Sequence, residues 1–345
     1  MKVVFLMEAG IPSYRNFLFQ ELYEDQRITD LIVVHNGKVY NGKKGNYKDV
    51  KVPFIGNNKL GLHLGILKYL FQADVIVSSY NLRIISCWLP AIFFRNKWIF
   101  WGKGLGNKES FLIKYLRKFS SKFSRYILVY NEIKKQEIIE KLQLPKEKVI
   151  AYNNTIYISN PLDYSNEIKK YFLYFGRIQQ RKGLLELIES YNEYVQAIKK
   201  PKYKLRFVGD GDFKEILIKR VQELNIEQFV EFYPGVYKDD EIASYFKEAV
   251  MYVSPYNVGL AVINSFAYGV PVLTCTKPQV GPEFYYLNDS NSIIVKSIKD
   301  FKEIFINSED LLIKFKDIST NYSLNLHHSN MLKHFKETII KVGNE

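Results

Sequence analysis

Arg177 and Lys182 stand five residues apart in the stretch Tyr174-Phe-Gly-Arg-Ile-Gln-Gln-Arg-Lys-Gly-Leu-Leu-Glu-Leu-Ile188. There an apolar strand runs into Gly176 and a helix begins near Gly183. Cations at the carboxyl end of a strand, facing a helix start, can hold a diphosphate. Their N–H groups bond phosphate oxygens, and the helix end adds a positive dipole. Two solvated charges on a polar loop would give the same local pattern. The order of the surrounding segments separates these readings.

Other residues with chemical potential carry less. Asp210-Gly-Asp212 has the spacing of a carboxylate pair that binds a metal, but it follows Phe207-Val-Gly and suits a glycine-containing turn. Glu215, the nearest further carboxylate, sits in the first turn of the next helix, where Glu is favoured electrostatically. No metal is therefore expected. The five histidines (His35, His63, His327, His328 and His334) fall in no pattern for a general base or a Ser-His-Asp triad. Cys87 and Cys275 are far apart and read as free thiols in a reducing, cytoplasmic setting.

The elements that must position Arg177 and Lys182 alternate along the whole chain. Short apolar strands are expected at Lys2–Met7, Ile28–His35, Asp74–Ser78, Trp98–Trp101, Tyr126–Tyr130 and Val149–Tyr152. Helical spacing occurs at Tyr14–Leu22, Leu60–Phe71, Ser110–Phe123 and Glu132–Leu142, and residues 36–51 read as a long polar loop. After a linker at Ile158–Asp163 the rhythm restarts, with strands at Tyr171–Phe175, Lys204–Val208, Val230–Tyr233, Val250–Val253 and Pro271–Cys275. The helices between them are Leu184–Ala197, Phe213–Leu224, Asp239–Glu248 and Leu260–Tyr268. Strand–helix alternation implies parallel sheets covered by helices. Two α/β domains are expected, 1–160 and 161–324, and a last helix within about 325–345 has the option of packing back on the first.

A chain of 345 residues, 47% hydrophobic and 25% charged, is long enough for two buried cores and too apolar for disorder. No apolar run approaches the ~20 residues of a membrane helix. The run Ile84–Phe94 is interrupted by Pro90 and bracketed by Arg83, Arg95 and Lys97. The net charge of +13 lies entirely in residues 1–160, where 25 Lys/Arg minus 12 Asp/Glu gives +13; the remainder balances at 24 of each. The first half is thus suited to an anionic partner. No nucleic-acid-binding motif is present. In Phe111–Arg125 basic residues interleave with Phe, Leu, Ile and Tyr, the pattern of an amphipathic helix on a bilayer, or equally of a solvated basic face. Trp98, Trp101 and Tyr256 could stack on sugars, although most aromatics serve the core.

Several motifs occur in a telling order: Phe175-Gly-Arg-Ile with Arg-Lys-Gly183, Phe207-Val-Gly-Asp-Gly211, Val230-Glu-Phe-Tyr-Pro-Gly-Val236, and Ala249-Val-Met-Tyr-Val-Ser-Pro255. Gly259-Leu260, Asn264-Ser-Phe-Ala-Tyr-Gly-Val-Pro-Val272 and Gly281-Pro-Glu283 follow. Together they resemble the donor-binding half of the GT-B glycosyltransferases, specifically the retaining family 4. The first half resembles the acceptor half of bacterial members through Lys97-Trp-Ile-Phe-Trp-Gly-Lys-Gly-Leu-Gly106 and Ala9-Gly-Ile-Pro-Ser-Tyr-Arg15. The resemblance implies two Rossmann-like domains facing across a cleft, which close around the substrates. It further implies a metal-independent, retaining transfer of a sugar from a nucleotide-sugar to a lipid-linked glycan in surface polysaccharide biosynthesis, at the inner face of the cell membrane.

It also implies roles. Arg177 and Lys182 would grip the diphosphate, and the amides of Val258, Gly259 and Leu260 would add a helix dipole. Asn264 would meet the ribose, while Gly10, Arg15 and Gly176 would lie near the donor phosphates. Lys103, where relatives often have His, would hold negative charge, and Glu283 would contact the donor from its loop. Family members usually carry two Glu residues at the positions of Tyr256 and Asn264, so the choice of sugar is not implied. The rival readings are a catalytically altered GT-B binding or scaffold module and a GT-B nucleotide-sugar epimerase.

Overall fold

The computed structural model describes residues 1–37, 45–57, 60–106, 110–276 and 281–344. The chain forms two compact units, one of Met1–Tyr157 with His328–Glu345 and one of Ile158–His327.

The first unit is built on β1 (Lys2–Leu6), β2 (Asp30–His35), β3 (Lys48–Lys51), a hairpin of β4 (Phe54–Gly56) and β5 (Gly61–His63), β6 (Val75–Ser79), β7 (Trp98–Gly102), β8 (Tyr126–Val129) and β9 (Val149–Ala151). Seven of these pair in parallel in the order β3-β2-β1-β6-β7-β8-β9. Apolar residues alternate between the two faces, as a strand period of two dictates. Val3, Phe5, Leu31 and Val33 enter one core, and Val4, Leu6, Ile32 and Val34 enter the other. Helix His328–Asn344 closes the first of these cores with Met331, Leu332, Phe335, Ile339 and Val342.

Two expectations for this unit are corrected. The helix read over Leu60–Phe71 begins only at Leu67, because Leu60, Leu62 and Leu64 alternate at strand period and Gly61–His63 pairs with Phe54–Gly56. Gly65, at φ +70°, turns the chain into the helix. The polar loop read over 36–51 ends in β3, a largely polar edge strand paired with β2. The apolar run at Ile84–Phe94 forms only a 3-10 turn at Ile85–Cys87 and a four-residue helix at Ala91–Phe94. Among the described residues no helix is long and apolar enough to cross a membrane.

The second unit holds a six-stranded parallel sheet: β10 (Tyr171–Phe175), β11 (Lys204–Val208), β12 (Val230–Tyr233), β13 (Ala249–Val253), β14 (Val272–Cys275) and β15 (Ser292–Val295). Their order is β12-β11-β10-β13-β14-β15. The strand order reverses between β10 and β13, and in such sheets ligands bind beyond the carboxyl ends of the strands at this point. Each unit is thus Rossmann-like in its strand order.

Candidate functional site

The loops that leave β10 and β13 carry most of the side chains singled out in the sequence. The β10 loop begins at Gly176, with φ at +141°, and is held backbone to backbone against the β11 loop. The Gly176 amide donates to Val208 O at 3.0 Å, and the Ile178 amide donates to Asp210 O at 3.0 Å. A Cβ on Gly209 would lie 1.9 Å from Gly176 O, so the Gly-Asp-Gly turn owes its glycines to this close approach. Asp210 is committed to the same scaffold. Its carboxylate accepts the Gly235 amide at 2.7 Å and Lys214 Nζ at 3.2 Å, and the Gly235 bond holds its pKa below the usual carboxylate range.

Past the exposed Arg177, residues Gln180–Lys182 make one 3-10 turn ending at Gly183 in the left-handed region, φ +70°. Helix Leu184–Ile198 starts there. The Lys182 ammonium then bridges the switch point, donating to the carbonyl of Asn257 in the β13 loop at 2.6 Å. The Tyr256 ring packs on Gly183 so closely that a Cβ there would lie 2.4 Å from two ring carbons. Asn257 adopts φ +55°, a conformation Asn tolerates better than most residues.

Glu283 is 7% exposed, on a 3-10 turn at Pro282–Tyr286. Its carboxylate lies against the same loop, since the Cβ position of Gly281 falls 2.5 Å from Val258 O and 3.2 Å from Glu283 Oε2. Burial pushes the Lys182 pKa down to about 8; the neighbouring Arg181 and Arg177 act in the same direction, and Glu283 opposes them. Val258 is buried, and Gly259 and Leu260 lead directly into helix Ala261–Ala267, where Asn264 is 6% exposed. Nothing lies within 4 Å of the Cβ position at Gly259, so its glycine leaves open space beside the loop.

The second unit thus brings together Gly176, Arg177, Lys182, Val258, Gly259, Leu260 and Glu283, with Asn264 in the adjoining helix. It adds two residues whose structural parts the sequence did not reveal: the Asn257 carbonyl as partner of Lys182, and Tyr256 as the lid on Gly183. The one available signal was Asn257 itself, an Asn beside Val258-Gly259 in a turn.

Gly10, Arg15 and Lys103 belong to the first unit. Gly10 lies in the loop after β1, pressed by the β2 loop: a Cβ on Gly37 would come within 2.4 Å of the Gly10 nitrogen. Lys103 is exposed in the loop after β7. Arg15 is 2% exposed. Its guanidinium bonds the Asn154 side chain, reaches Thr155 O at 3.5 Å and Met331 Sδ at 3.5 Å, and lies 5.3 Å from the Trp101 ring centroid. In this position it pins the first loop, the 153–155 segment and the last helix to one another.

Residues 164–306 match the family model for glycosyl transferases group 1. The chain is also similar to an uncharacterized glycosyltransferase of Haemophilus influenzae, 28% identical over 184 residues, or 48% of this chain and 50% of that one. The chain thus matches about half the length of this curated relative. Two solved structures share the fold along nearly the whole chain. The lipopolysaccharide outer core galactosyltransferase WaaB aligns with a TM-score of 0.68 at 15% identity, covering 99% of each chain. HepE of Anabaena, solved in complex with UDP, aligns with a TM-score of 0.70 at 14% identity, covering 99% of this chain and 100% of that one.

Proposed function

We propose that this protein is a glycosyltransferase that moves a sugar from a nucleotide-sugar to a lipid-linked glycan acceptor in surface polysaccharide biosynthesis, without a metal and with retention of configuration. The observation that carries the reading is the Lys182 ammonium spanning the β10 and β13 loops, with Arg177 and Glu283 beside it. Cleaving a sugar–phosphate bond builds charge on the departing diphosphate, and fixed cations aimed at that charge lower the barrier. Arg177 and Lys182 supply two, and the Val258–Leu260 turn before helix Ala261–Ala267 adds backbone amides.

In the proposed step the C1–O bond to the diphosphate breaks and a C1–O bond to the acceptor hydroxyl forms on the same face. The hydroxyl proton passes to the departing diphosphate, so no protein base is required. Asn264 takes the ribose side, Gly176 lets the phosphates approach the backbone, and Glu283 orients Lys182 and the donor. In the first unit, Lys103 holds a phosphate, and Arg15 acts by fixing the Gly10 loop. The basic first unit faces an anionic membrane surface at the cytoplasmic side. UDP in the complex with Anabaena HepE supports a nucleotide donor.

The test is release of nucleoside diphosphate from a panel of nucleotide-sugars in the presence of lipid extract, by the full chain and by Lys182→Ala. One donor is expected to be turned over, with the variant reduced at least ~10-fold, the worth of one charge-assisted hydrogen bond. Unchanged turnover in the variant would refute the assignment.

A further inference from the structure

Histidine is the side chain that ordinarily changes charge between pH 5 and 8, and His63 sits where such a change has structural consequences. It lies on β5 and is 2% exposed, facing inward with Gly61 while Leu62 between them faces out. The Ser86 hydroxyl accepts the His63 amide at 3.0 Å and meets the ring Nδ1 at 2.7 Å. Having accepted the amide hydrogen, that hydroxyl has its own proton to give, and Nδ1 takes it only while unprotonated. The other ring nitrogen, Nε2, is buried with no hydrogen-bond partner among the described residues. A proton added to this ring would leave a buried charge without an acceptor, which is strongly disfavoured.

These bonds fasten the β4–β5 hairpin. A two-stranded hairpin is marginal alone in water, and this one forms a sheet of its own. It is tied to the segment that follows β6: the Gly61 amide donates to Arg83 O at 2.8 Å, Gly61 bridges in parallel to Ile84, and His63 bonds Ser86. That segment is itself anchored, because Ser78 of β6 donates to Cys87 O at 2.8 Å and Cys87 is fully buried. At the hairpin's other end the Val52 amide donates to His35 O at 2.8 Å, so the chain enters it beside the carboxyl end of β2. The strand order of this unit reverses between β1 and β6, and in such sheets ligands bind beyond the carboxyl ends at that point. The hairpin is thus part of the unit's ligand end.

The surroundings of His63 disfavour its charged form. Burial, and after it the neighbouring His35, lowers its pKa from 6.5 to about 4. His35 is 2% exposed and bonds Asp49 through its Nε2. Cys87, next to Ser86, is held protonated by burial. Glu8, Lys51 and Arg83 on the adjoining loops are exposed, where solvent and salt screen their charge.

We propose that His63 is a pH-sensitive latch: its neutral ring holds the hairpin against the Ile85–Cys87 turn, and protonation frees the hairpin from the ligand end of the first unit. The sign follows from the depressed pKa. Above about pH 6.5 an exposed histidine is neutral too, and the latch has its full strength; as pH falls toward about 4 the freed hairpin takes up the proton and the latch weakens. The latch goes beyond the function proposed above and stands without it.

The experiment is amide hydrogen exchange of the full chain between pH 7.5 and pH 5, read as protection relative to the intrinsic rate at each pH. Protection of the Phe54–Gly56 and Gly61–His63 amides should fall roughly 10- to 30-fold over this range, while strand Trp98–Gly102 keeps its own. In His63→Gln, which is neutral at every pH, the fall should disappear. Titration of the His63 ring by NMR of the histidine-labelled chain needs no substitution and decides the matter if that variant does not fold. The ring is expected to stay neutral wherever the hairpin is protected. Hairpin protection that holds to pH 5, an equal fall in His63→Gln, or a ring that protonates near pH 6.5 with the hairpin still protected would each overturn the proposal. So would a loss shared by Trp98–Gly102, which would be acid unfolding of the whole unit.

Discussion

At the scale of single residues, Lys182 is the most informative. Its ammonium is held by the Asn257 carbonyl, and burial depresses its pKa to about 8. Below that value the side chain is a cation and can neutralise a diphosphate; as pH rises through it, the unliganded protein loses the charge. Nucleoside diphosphate affinity is therefore expected to decline across about pH 8, a loss visible by calorimetric titration at several pH values. Lys182→Arg, charged throughout, should flatten that decline while weakening binding at neutral pH, because a planar fork cannot reproduce the compact ammonium's bond to Asn257. An identical alkaline decline in the Arg variant would remove Lys182 from the account.

At the scale of elements, the site depends on loops pressed together at glycines. Gly183→Ala is expected to cost about 1–3 kcal/mol, since its Cβ needs both a left-handed backbone and space now filled by the Tyr256 ring. The shift in thermal midpoint checks this, and Tyr256→Ala in the same chain should recover part of the loss by relieving the clash.

The same elements explain what was legible beforehand. Tyr171–Phe175 and Ala249–Val253 could be placed from the sequence, the second to within one residue, because both faces of a central parallel strand are buried and read as an uninterrupted apolar run. β3 could not, because Lys48-Asp-Val-Lys51 sits at a sheet edge with partly solvated side chains. Leu60–Phe71 misled because leucines spaced by two also satisfy part of a helical pattern, and only the cross-strand partner Phe54–Gly56 settles the choice. In the site, Arg177, Lys182 and Glu283 stood out by type and motif. The Lys182–Asn257 bond and the Tyr256–Gly183 contact join residues some 75 positions apart, and no local pattern encodes them.

At the scale of the whole molecule, the chain leaves its first unit at Tyr157 and returns to it at His328. The returning helix buries Met331, Leu332, Phe335, Ile339 and Val342 in the core beneath β1 and β7. At about 1.5–3 kcal/mol per buried side chain these five contribute roughly 8–15 kcal/mol, comparable to the whole stability of a typical domain. A chain ending at His327 is thus expected to lose the first unit's cooperative unfolding transition, as seen by calorimetry, while the transition of the second persists. Retention of both transitions would show that the helix is dispensable.

The claim on which the functional account turns is that the β10 and β13 loops grip a diphosphate. Calorimetric titration of nucleoside diphosphates into the full chain, without added metal, and into Arg177→Ala and Lys182→Ala tests it most directly. At least one diphosphate is predicted to bind, and each substitution should weaken it ~10- to 100-fold, the worth of one charge-assisted hydrogen bond. Absence of binding by every nucleoside diphosphate, or affinity in either variant equal to that of the unsubstituted chain, would contradict the account.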